Sequence, residues 1–239
     1  MEKEVDMKSS TLRASFLLIC LVVFAANALS QPDAKQLKSG AERVNAASDV
    51  INEIMAADDK SIPRDLLSKA KAIIVFPGTL KGGFIVGAQG GKGLAISRLK
   101  TGWSAPAFFN LGGGSVGFQI GGSSTDYIMV VMNDKGLRGL LEDQFELGGE
   151  ASVAGGPVGR TAAASTNATM DAEILTYSRS KGAFAGVSLK GVVITPDKKM
   201  NKGIYQKTAK QVLVEAPVAW DAGPKSLQKF PMTVASYAK

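Results

Sequence analysis

The sequence contains no histidine, and its single cysteine, Cys20, lies close to the N-terminus. Histidine is the commonest general base in enzymes and a frequent metal ligand, so its absence argues against many catalytic and metal sites. Only oxygen ligands remain for a metal ion, and the chain has no D-x-[DN]-x-[DN]-G calcium loop. We therefore predict no catalytic residue, no metal site and no cofactor.

Residues 1–30 have the pattern of a signal peptide. Lys8 and Arg13 precede an apolar run at 14–26, which is too short to span a bilayer comfortably. Small residues follow the run, and cleavage is expected after Ala28 or Ser30. We predict an exported protein, periplasmic or secreted.

Cys20 lies in the middle of this apolar run. A bacterial lipoprotein signal needs a small residue before the cysteine, and Ile19 is not small. Cleavage at the predicted positions leaves a chain without cysteine, so disulfide bonds are excluded and the fold depends on packing. An exported chain without disulfides suits a bacterial periplasm.

The composition indicates one globular domain that favours anionic partners. The chain has 239 residues, of which 45% are hydrophobic and 21% charged, enough for a sizeable core. Its net charge is +7, which favours phospholipid head groups, acidic polymers or nucleic acid. No nucleic-acid-binding motif is present, and export argues further against that partner.

Residues 34–57 show the three-to-four spacing of an amphipathic helix. The apolar positions are Leu37, Ala41, Val44, Ser48, Ile51 and Met55. This helix either packs on its own domain, the interpretation we favour, or lies on a membrane surface. A short helix is expected to begin at Pro63 and to continue through Lys69.

Glycine dominates the middle of the chain, where 21 of its 27 glycines lie between Gly78 and Gly159. Short β-rich runs alternate with these glycines, which predicts an antiparallel sheet with sharp curvature. The runs are Ala72–Phe76, Phe84–Ala88, Leu94–Arg98, Trp103–Phe109, Val116–Ile120, Tyr127–Met132, Glu173–Ser178 and Ala183–Ile194, with a short helix at Lys135–Glu142.

We therefore predict an α+β fold. Its core is a glycine-rich, mainly antiparallel, curved or barrel-like sheet, flanked by the N-terminal amphipathic helix and by short helices. The domain is expected to span 31–210, followed by a C-terminal tail at 211–239 that wraps the domain or is partly disordered.

Two glycine motifs suggest chemistry but lack its structural setting. Gly113–Gly117 matches the G-x-S-x-G nucleophile motif around Ser115, and Gly112–Gly117 matches G-x-G-x-x-G. Both motifs require a helix after a strand, whereas this sequence continues as a strand. We favour a glycine-rich strand over an enzyme with Ser115 as its nucleophile.

An ordered set of short motifs resembles the SYLF domain, also called the Ysc84-type domain. The set opens with S-I-P-x-x-L-L-x-x-A-K-A-I-x-V-F-P at 61–77 and covers about 40–207. The further matching segments are 81–84, 91–93, 103–106, 117–121, 154–160 and 177–191. The resemblance implies a phosphoinositide-binding or, in yeast, actin-binding module. An exported bacterial member would not normally meet either partner, which argues against actin and favours other anionic lipids.

The resemblance and the positive charge together suggest peripheral binding of an anionic phospholipid or membrane surface through a basic face. The candidate lipid-binding cations are Lys81, Lys92, Arg98, Arg160, Arg179, Lys181 and Lys190. Trp103, Phe108 and Phe109 are either interface anchors or, as we favour, core residues. The alternative function is an envelope scaffold that binds proteins and has no lipid ligand. The oligomeric state is not determined by the sequence.

Overall fold

The structure is a computed structural model that describes residues 32–57, 61–117, 123–149, 151–159, 171–180, 183–187, 189 and 191–238, including the backbone of 83–86 and 115–117. Three of the candidate cations, Arg160, Lys181 and Lys190, lie outside the described residues, as does the predicted signal peptide at 1–30.

Five α-helices lie in the described part of the chain. They are α1 (Ala34–Met55), α2 (Arg64–Lys69), α3 (Asp134–Leu140), α4 (Lys198–Tyr205) and α5 (Lys229–Tyr237). A π-helical turn, Gln211–Glu215, and a 3-10 turn, Lys225–Leu227, follow α4. The predicted amphipathic helix is confirmed as α1, which begins after Asp33, whose carboxylate accepts hydrogen bonds from the backbone N–H groups of Lys35 and Gln36.

In the described residues, nine strands form one sheet in the order β5-β9-β3-β1-β4-β7-β6, with β2 paired to β1 and β8 paired to β7. They are β1 (Ala72–Leu99), β2 (Gly102–Trp103), β3 (Ala107–Gly117), β4 (Ser123–Val131), β5 (Phe145–Leu147), β6 (Val153–Gly155), β7 (Ile174–Ser180), β8 (Ala183–Gly186) and β9 (Val192–Pro196). Every strand pairing in this set is antiparallel except β6 with β7. The sheet is barrel-like and nearly closed, so the predicted α+β fold is confirmed.

Strand β1 is a hairpin folded back on itself. Its first half pairs with β4, from Ala72 to Lys81, and its second half pairs with β3, from Ile85 to Ala95. The backbone N–H of Arg98 donates to the carbonyl of Lys71 at 2.8 Å, so the two halves lie side by side. The sequence predicted three separate runs here, whereas the structure joins them in the two arms of one hairpin at the centre of the sheet.

Two predicted strands are interrupted. Trp103–Phe109 divides into β2 and the start of β3, because Pro106 has no N–H group to donate to a neighbouring strand. The predicted strand Ala183–Ile194 divides into β8 and β9. Gly191, just before β9, has a φ of +72°, a left-handed conformation that glycine adopts without strain.

Alternating residues of the sheet divide the interior into two cores. Ile73 and Val75 of β1 belong to the cluster that also contains Val44 and Ile51 of α1. The intervening residues, such as Ile74, point to the opposite face, where β5, β9 and the π-helical turn contribute the packing partners. Both faces of the central strands are therefore covered, as continuous apolar runs require.

The C-terminal segment packs against α1. Phe230 and Val234 of α5 are buried, and the ammonium of Lys229 lies 3.1 Å from the carboxylate of Asp49. The hydroxyl of Tyr237 donates to the side-chain oxygen of Asn52 at 3.2 Å. Residues 229–237 thus form a regular helix on the domain surface.

The two arms of the hairpin approach closely at Gly93, so a substitution at this position tests their contact. A Cβ atom added at Gly93 would collide with the carbonyl of Val75 and with the ring of Phe76. We expect Gly93→Ala to lower the free energy of unfolding by about 1–3 kcal/mol, the usual cost of overpacking. Urea unfolding followed by circular dichroism would measure it.

Gly112 is the matched control, because a Cβ added there meets no atom within 4 Å. We expect Gly112→Ala to be neutral or to stabilise the protein by up to about 1 kcal/mol, through the reduced entropy of the unfolded chain. Equal unfolding free energies for the two variants would contradict the close approach of the hairpin arms.

Candidate functional site

Lys81 and Lys92 lie on different arms of the β1 hairpin, where Lys81 pairs with Ser123 of β4 and Lys92 pairs with Asn110 of β3. The ammonium of Lys81 lies 5.3 Å from the ring centroid of Tyr127, whose side chain belongs to the core on the face opposite α1. Lys92 is exposed and lines a groove on the helix side. The structure therefore places these two predicted cations on the two arms of the hairpin and on opposite faces of it.

Directly before Lys81 in the sequence, Leu80 is the most exposed large apolar side chain among the described residues, at 67%. It follows Pro77 and Gly78, whose φ of +58° turns the strand and accompanies a shift of register between Phe76 and Thr79. Folding leaves an apolar side chain in water here, beside two lysines. We name the three residues Leu80, Lys81 and Lys92 the hairpin patch.

The groove beside the patch has a volume of about 590 Å³. Its walls are the N-terminal half of α1, the hairpin and β3. The lining residues that carry polar or charged side chains are Ser39, Glu42, Arg43, Lys92 and Asn110. Most of the lining surface is apolar, with contributions from Ala46, Pro77 and Leu80.

Arg43, in the wall of this groove, connects α1 to Asp197 at the start of α4 and to Phe108 of β3. Its Nη2 lies 3.0 Å from the carboxylate of Asp197, and its guanidinium lies 5.6 Å from the ring centroid of Phe108. The second terminal nitrogen, Nη1, is buried and has no hydrogen-bond partner among the described residues. Arg43 thus has donor capacity that its protein partners do not use.

Arg98 occupies a structural position. Its Nε and Nη2 donate to the carbonyls of Ala70 and Leu67 at 2.8 and 2.7 Å, at the end of α2. Its guanidinium also stacks on Trp103, 4.2 Å from the ring centroid, and burial lowers its pKa. The arginine therefore satisfies carbonyls at a helix C-terminus, a role that leaves few donors for a phosphate.

Arg179 is held between two carboxylates. Its Nη2 lies 2.7 Å from Asp126, and its Nη1 contacts Glu53 of α1. Asp126 also accepts a hydrogen bond from the backbone N–H of Gly78 at 2.7 Å. Burial raises the pKa of Asp126, and the hydrogen bond from Gly78 opposes that change. These contacts link α1, β4, β7 and the hairpin, so Arg179 positions elements around the patch.

The aromatic residues and the serine motif singled out in the sequence lie in the core and within a strand. Trp103, Phe108 and Phe109 are at most 2% exposed, which confirms that they belong to the core. Ser115 lies within β3, where its backbone pairs with Gly87, instead of at a strand-to-helix turn.

In the described part of the chain, no group of three or more acidic residues is arranged to hold a metal ion. None of the described helices is long and apolar enough to cross a membrane.

Much of the chain matches the sequences of known proteins. Residues 112–233 match the sequence profile of the family Ysc84, described as "Las17-binding protein actin regulator". The chain belongs to the Ysc84 family. The match reaches residue 233, within α5, and so includes much of the segment at 211–239 that the sequence suggested as a tail.

Named relatives of this Ysc84-family chain come from yeast and mammals. LAS seventeen-binding protein 3 of Saccharomyces cerevisiae is 35% identical over 194 residues, which cover 77% of this chain and 42% of that protein. SH3 domain-containing YSC84-like protein 1 of Homo sapiens is 33% identical over 181 residues, covering 74% of this chain and 53% of that protein. The chain thus matches about half the length of these relatives, or less.

Sequence reasoning missed Leu80 and Arg43. The pair Pro77-Gly78 inside an apolar run was a signal for a turn that could expose the next apolar residue. For Arg43 the sequence offered no comparable signal, because its partner Asp197 is 154 residues away.

The contacts of Arg179 predict a stability effect. Replacing it with methionine leaves Asp126, whose side chain is 13% exposed, without its cationic partner. We expect Arg179→Met to lower the free energy of unfolding by about 2–3 kcal/mol, since an unpaired buried charge is costly. The double variant Arg179→Met/Asp126→Asn should be less destabilised than the sum of the two single variants.

Lys69 provides the control, because its ion pair with Asp65 is 64% and 71% exposed on the two side chains. Lys69→Met should cost less than about 0.5 kcal/mol in the same urea titrations. Additive effects of the Arg179 and Asp126 substitutions would contradict a coupled ion pair.

Proposed function

We propose that this Ysc84-family protein binds anionic phospholipid head groups peripherally, with the hairpin patch as its contact. The observation that carries the proposal is the exposure of Leu80, which is adjacent to Lys81 in the sequence and lines the same groove as Lys92. The two lysines can reach head groups, while Leu80 enters the apolar interface.

Each residue of the hairpin patch is expected to contribute a modest free energy of membrane binding, and these contributions add. A lysine near an anionic membrane surface contributes about 1 kcal/mol, and burial of a leucine side chain contributes about 1.5–3 kcal/mol. The net charge of +7 adds long-range attraction that salt weakens. Such a surface supports reversible binding at the membrane.

The seven cations suggested by the sequence have different roles in this proposal. Lys81 and Lys92 contact lipid, whereas Arg98 and Arg179 hold α1, α2 and the hairpin in position through donors that are already engaged. Arg160, Lys181 and Lys190 stay as candidate ligands, on the sequence evidence alone.

We further propose that residues 1–30 direct export and that the processed protein is periplasmic or secreted. Phosphatidylglycerol and cardiolipin would then be the anionic lipids available to it. N-terminal sequencing of protein recovered outside the cytoplasm tests this, with a new N-terminus after Ala28 or Ser30 as the expected result. A chain that keeps residues 1–30 would contradict the proposal.

Vesicle flotation tests lipid binding. The protein as recovered after export should float with vesicles containing phosphatidylglycerol but not with zwitterionic vesicles, and moderate salt should weaken the binding. Lys81→Glu/Lys92→Glu should reduce binding at least tenfold, because each lysine contributes about 1 kcal/mol and a tenfold change is about 1.4 kcal/mol. Leu80→Ser should reduce binding without changing its salt dependence.

Lys100 is the matched control, an exposed lysine in the turn after β1, at the open end of the hairpin. Lys100→Glu should retain flotation close to that of the unmodified protein. Equal losses in Lys100→Glu and in the Lys81/Lys92 variant would show that only overall charge matters. Absence of flotation under every condition would refute lipid binding.

A protein-binding scaffold without a lipid ligand is the second candidate. The observation that favours it is the family description, which names Las17 binding and actin regulation, together with the matching name of the yeast relative. The proposed export would place this chain away from actin. Cosedimentation with filamentous actin in the flotation buffers tests this candidate separately from lipid binding. Pelleting without flotation would favour the scaffold, and flotation without pelleting would favour the lipid function.

A further inference from the structure

A second cavity lies on another part of the surface, with a volume of about 710 Å³. It is enclosed by α4, by the chain that follows α4, and by the loop between α3 and β5. Four lysines line it against two acidic residues. The lysines are Lys198, Lys202, Lys207 and Lys210, and the acidic residues are Glu142 and Asp143.

The fold brings these lysines together from two directions. Lys198 and Lys202 are one turn apart on α4, so their side chains share a face of the helix. Gln206 then adopts a left-handed conformation, with φ 56°, and is the only non-glycine residue with positive φ in the described part of the chain. After this reversal, Lys207 and Lys210 line the same cavity as Lys198 and Lys202.

Hydrogen bonds between Thr208 and Gln211 stabilise the turn that carries Lys207 and Lys210. The backbone N–H of Thr208 donates to the Gln211 side-chain oxygen at 2.9 Å, and the N–H of Gln211 donates to the Thr208 hydroxyl oxygen at 3.1 Å. This leaves the hydroxyl hydrogen of Thr208 and the amide hydrogens of Gln211 to act as donors at the cavity.

The positive charge of the cavity is only partly compensated. Lys198 pairs with Asp143 at 2.8 Å, and Lys210 pairs with Glu215 at 3.2 Å, but all four side chains are about half exposed or more. Exposed ion pairs of this kind are weak, so an anionic ligand can compete for the lysines. Lys202 has no acceptor for its ammonium among the described residues.

The cavity also has an apolar part, to which Leu141, Pro196 and Ala209 contribute. Its volume is well above what an inorganic phosphate ion fills and lies in the range of sites for small organic ligands. Clustered ammonium groups with hydroxyl and amide donors match phosphate oxygens, and the apolar part matches an organic group attached to the phosphate.

We propose that this cavity binds a small organic ligand that carries several phosphate charges, with Lys202 as the central cation. Lys198 and Lys210 surround the phosphates, and the side chains of Thr208 and Gln211 donate hydrogen bonds. Lys207, whose ammonium donates to the carbonyl of Ala216 at 3.0 Å, adds positive charge beside them. None of the residues lining this cavity lines the groove at the hairpin patch, so the site is independent of the membrane contact.

Titration calorimetry with inorganic triphosphate and with ATP tests the proposal at low salt. Both probes should bind the unmodified protein, and ATP should bind more tightly because its nucleoside reaches the apolar part. Lys202→Glu should weaken both at least tenfold, and Lys202→Gln should weaken them less. Since Lys202 is exposed, both variants should keep the unfolding transition of the unmodified protein.

Lys199 is the matched control, because it is an exposed lysine on the same helix that does not line the cavity. Lys199→Glu should bind triphosphate and ATP as the unmodified protein does. Absence of binding by the unmodified protein, or equal losses for Lys199→Glu and Lys202→Glu, would overturn the proposal.

A final measurement distinguishes a soluble phosphate from a lipid head group as the source of the charge. Flotation with phosphatidylglycerol vesicles should be the same for Lys202→Glu and Lys199→Glu if the cavity takes a soluble ligand. A selective loss of flotation in Lys202→Glu would overturn the assignment to a soluble ligand and show that the cavity receives lipid phosphate. Failure of the Lys81/Lys92 variant to affect flotation would count against the membrane proposal alone.

Discussion

The close backbone contact between the two arms of β1 is the constraint on which the rest of the structure depends. One arm carries β4 and, through it, β7, while the other carries β3 and, through it, β9 and β5. Any separation of the arms would break the sheet at its centre. Glycine at positions such as Gly93 permits the contact because a side chain there would overlap Val75 and Phe76.

The helical layer is joined to this sheet by charged contacts as well as by apolar packing. Arg179 links Glu53 of α1 to Asp126 of β4, and Arg43 links α1 to Asp197 at the start of α4. Each arginine also lies against an aromatic ring, of Phe184 and Phe108 respectively. These partly buried contacts fix the direction of α1 across the sheet, which nonpolar packing alone specifies less strictly.

The sequence predicted best those features that depend on local spacing. Helix α1 was evident from its apolar periodicity, and the glycine-rich runs indicated a curved antiparallel sheet. The hairpin within β1 was not evident, because glycines inside a strand and glycines at a turn give the same local signal.

The roles of individual arginines were harder still to predict from sequence. Arg98 and Arg179 were candidate phosphate ligands by residue type, but their partners are decided by tertiary contacts. Arg98 meets two carbonyls about 30 residues earlier in the chain, and Arg179 meets acidic residues on two other elements. A single sequence contains no periodicity that reveals such distant pairs.

The packing of α5 on α1 joins the last described helix to the first. During synthesis from the N-terminus, the apolar face of α1 emerges long before Phe230 and Val234, which help to cover it. A nascent chain therefore keeps part of this face accessible until almost all of the described residues have appeared. The order of the elements thus delays completion of the core, and a chaperone that recognises apolar helices has a long interval in which to bind.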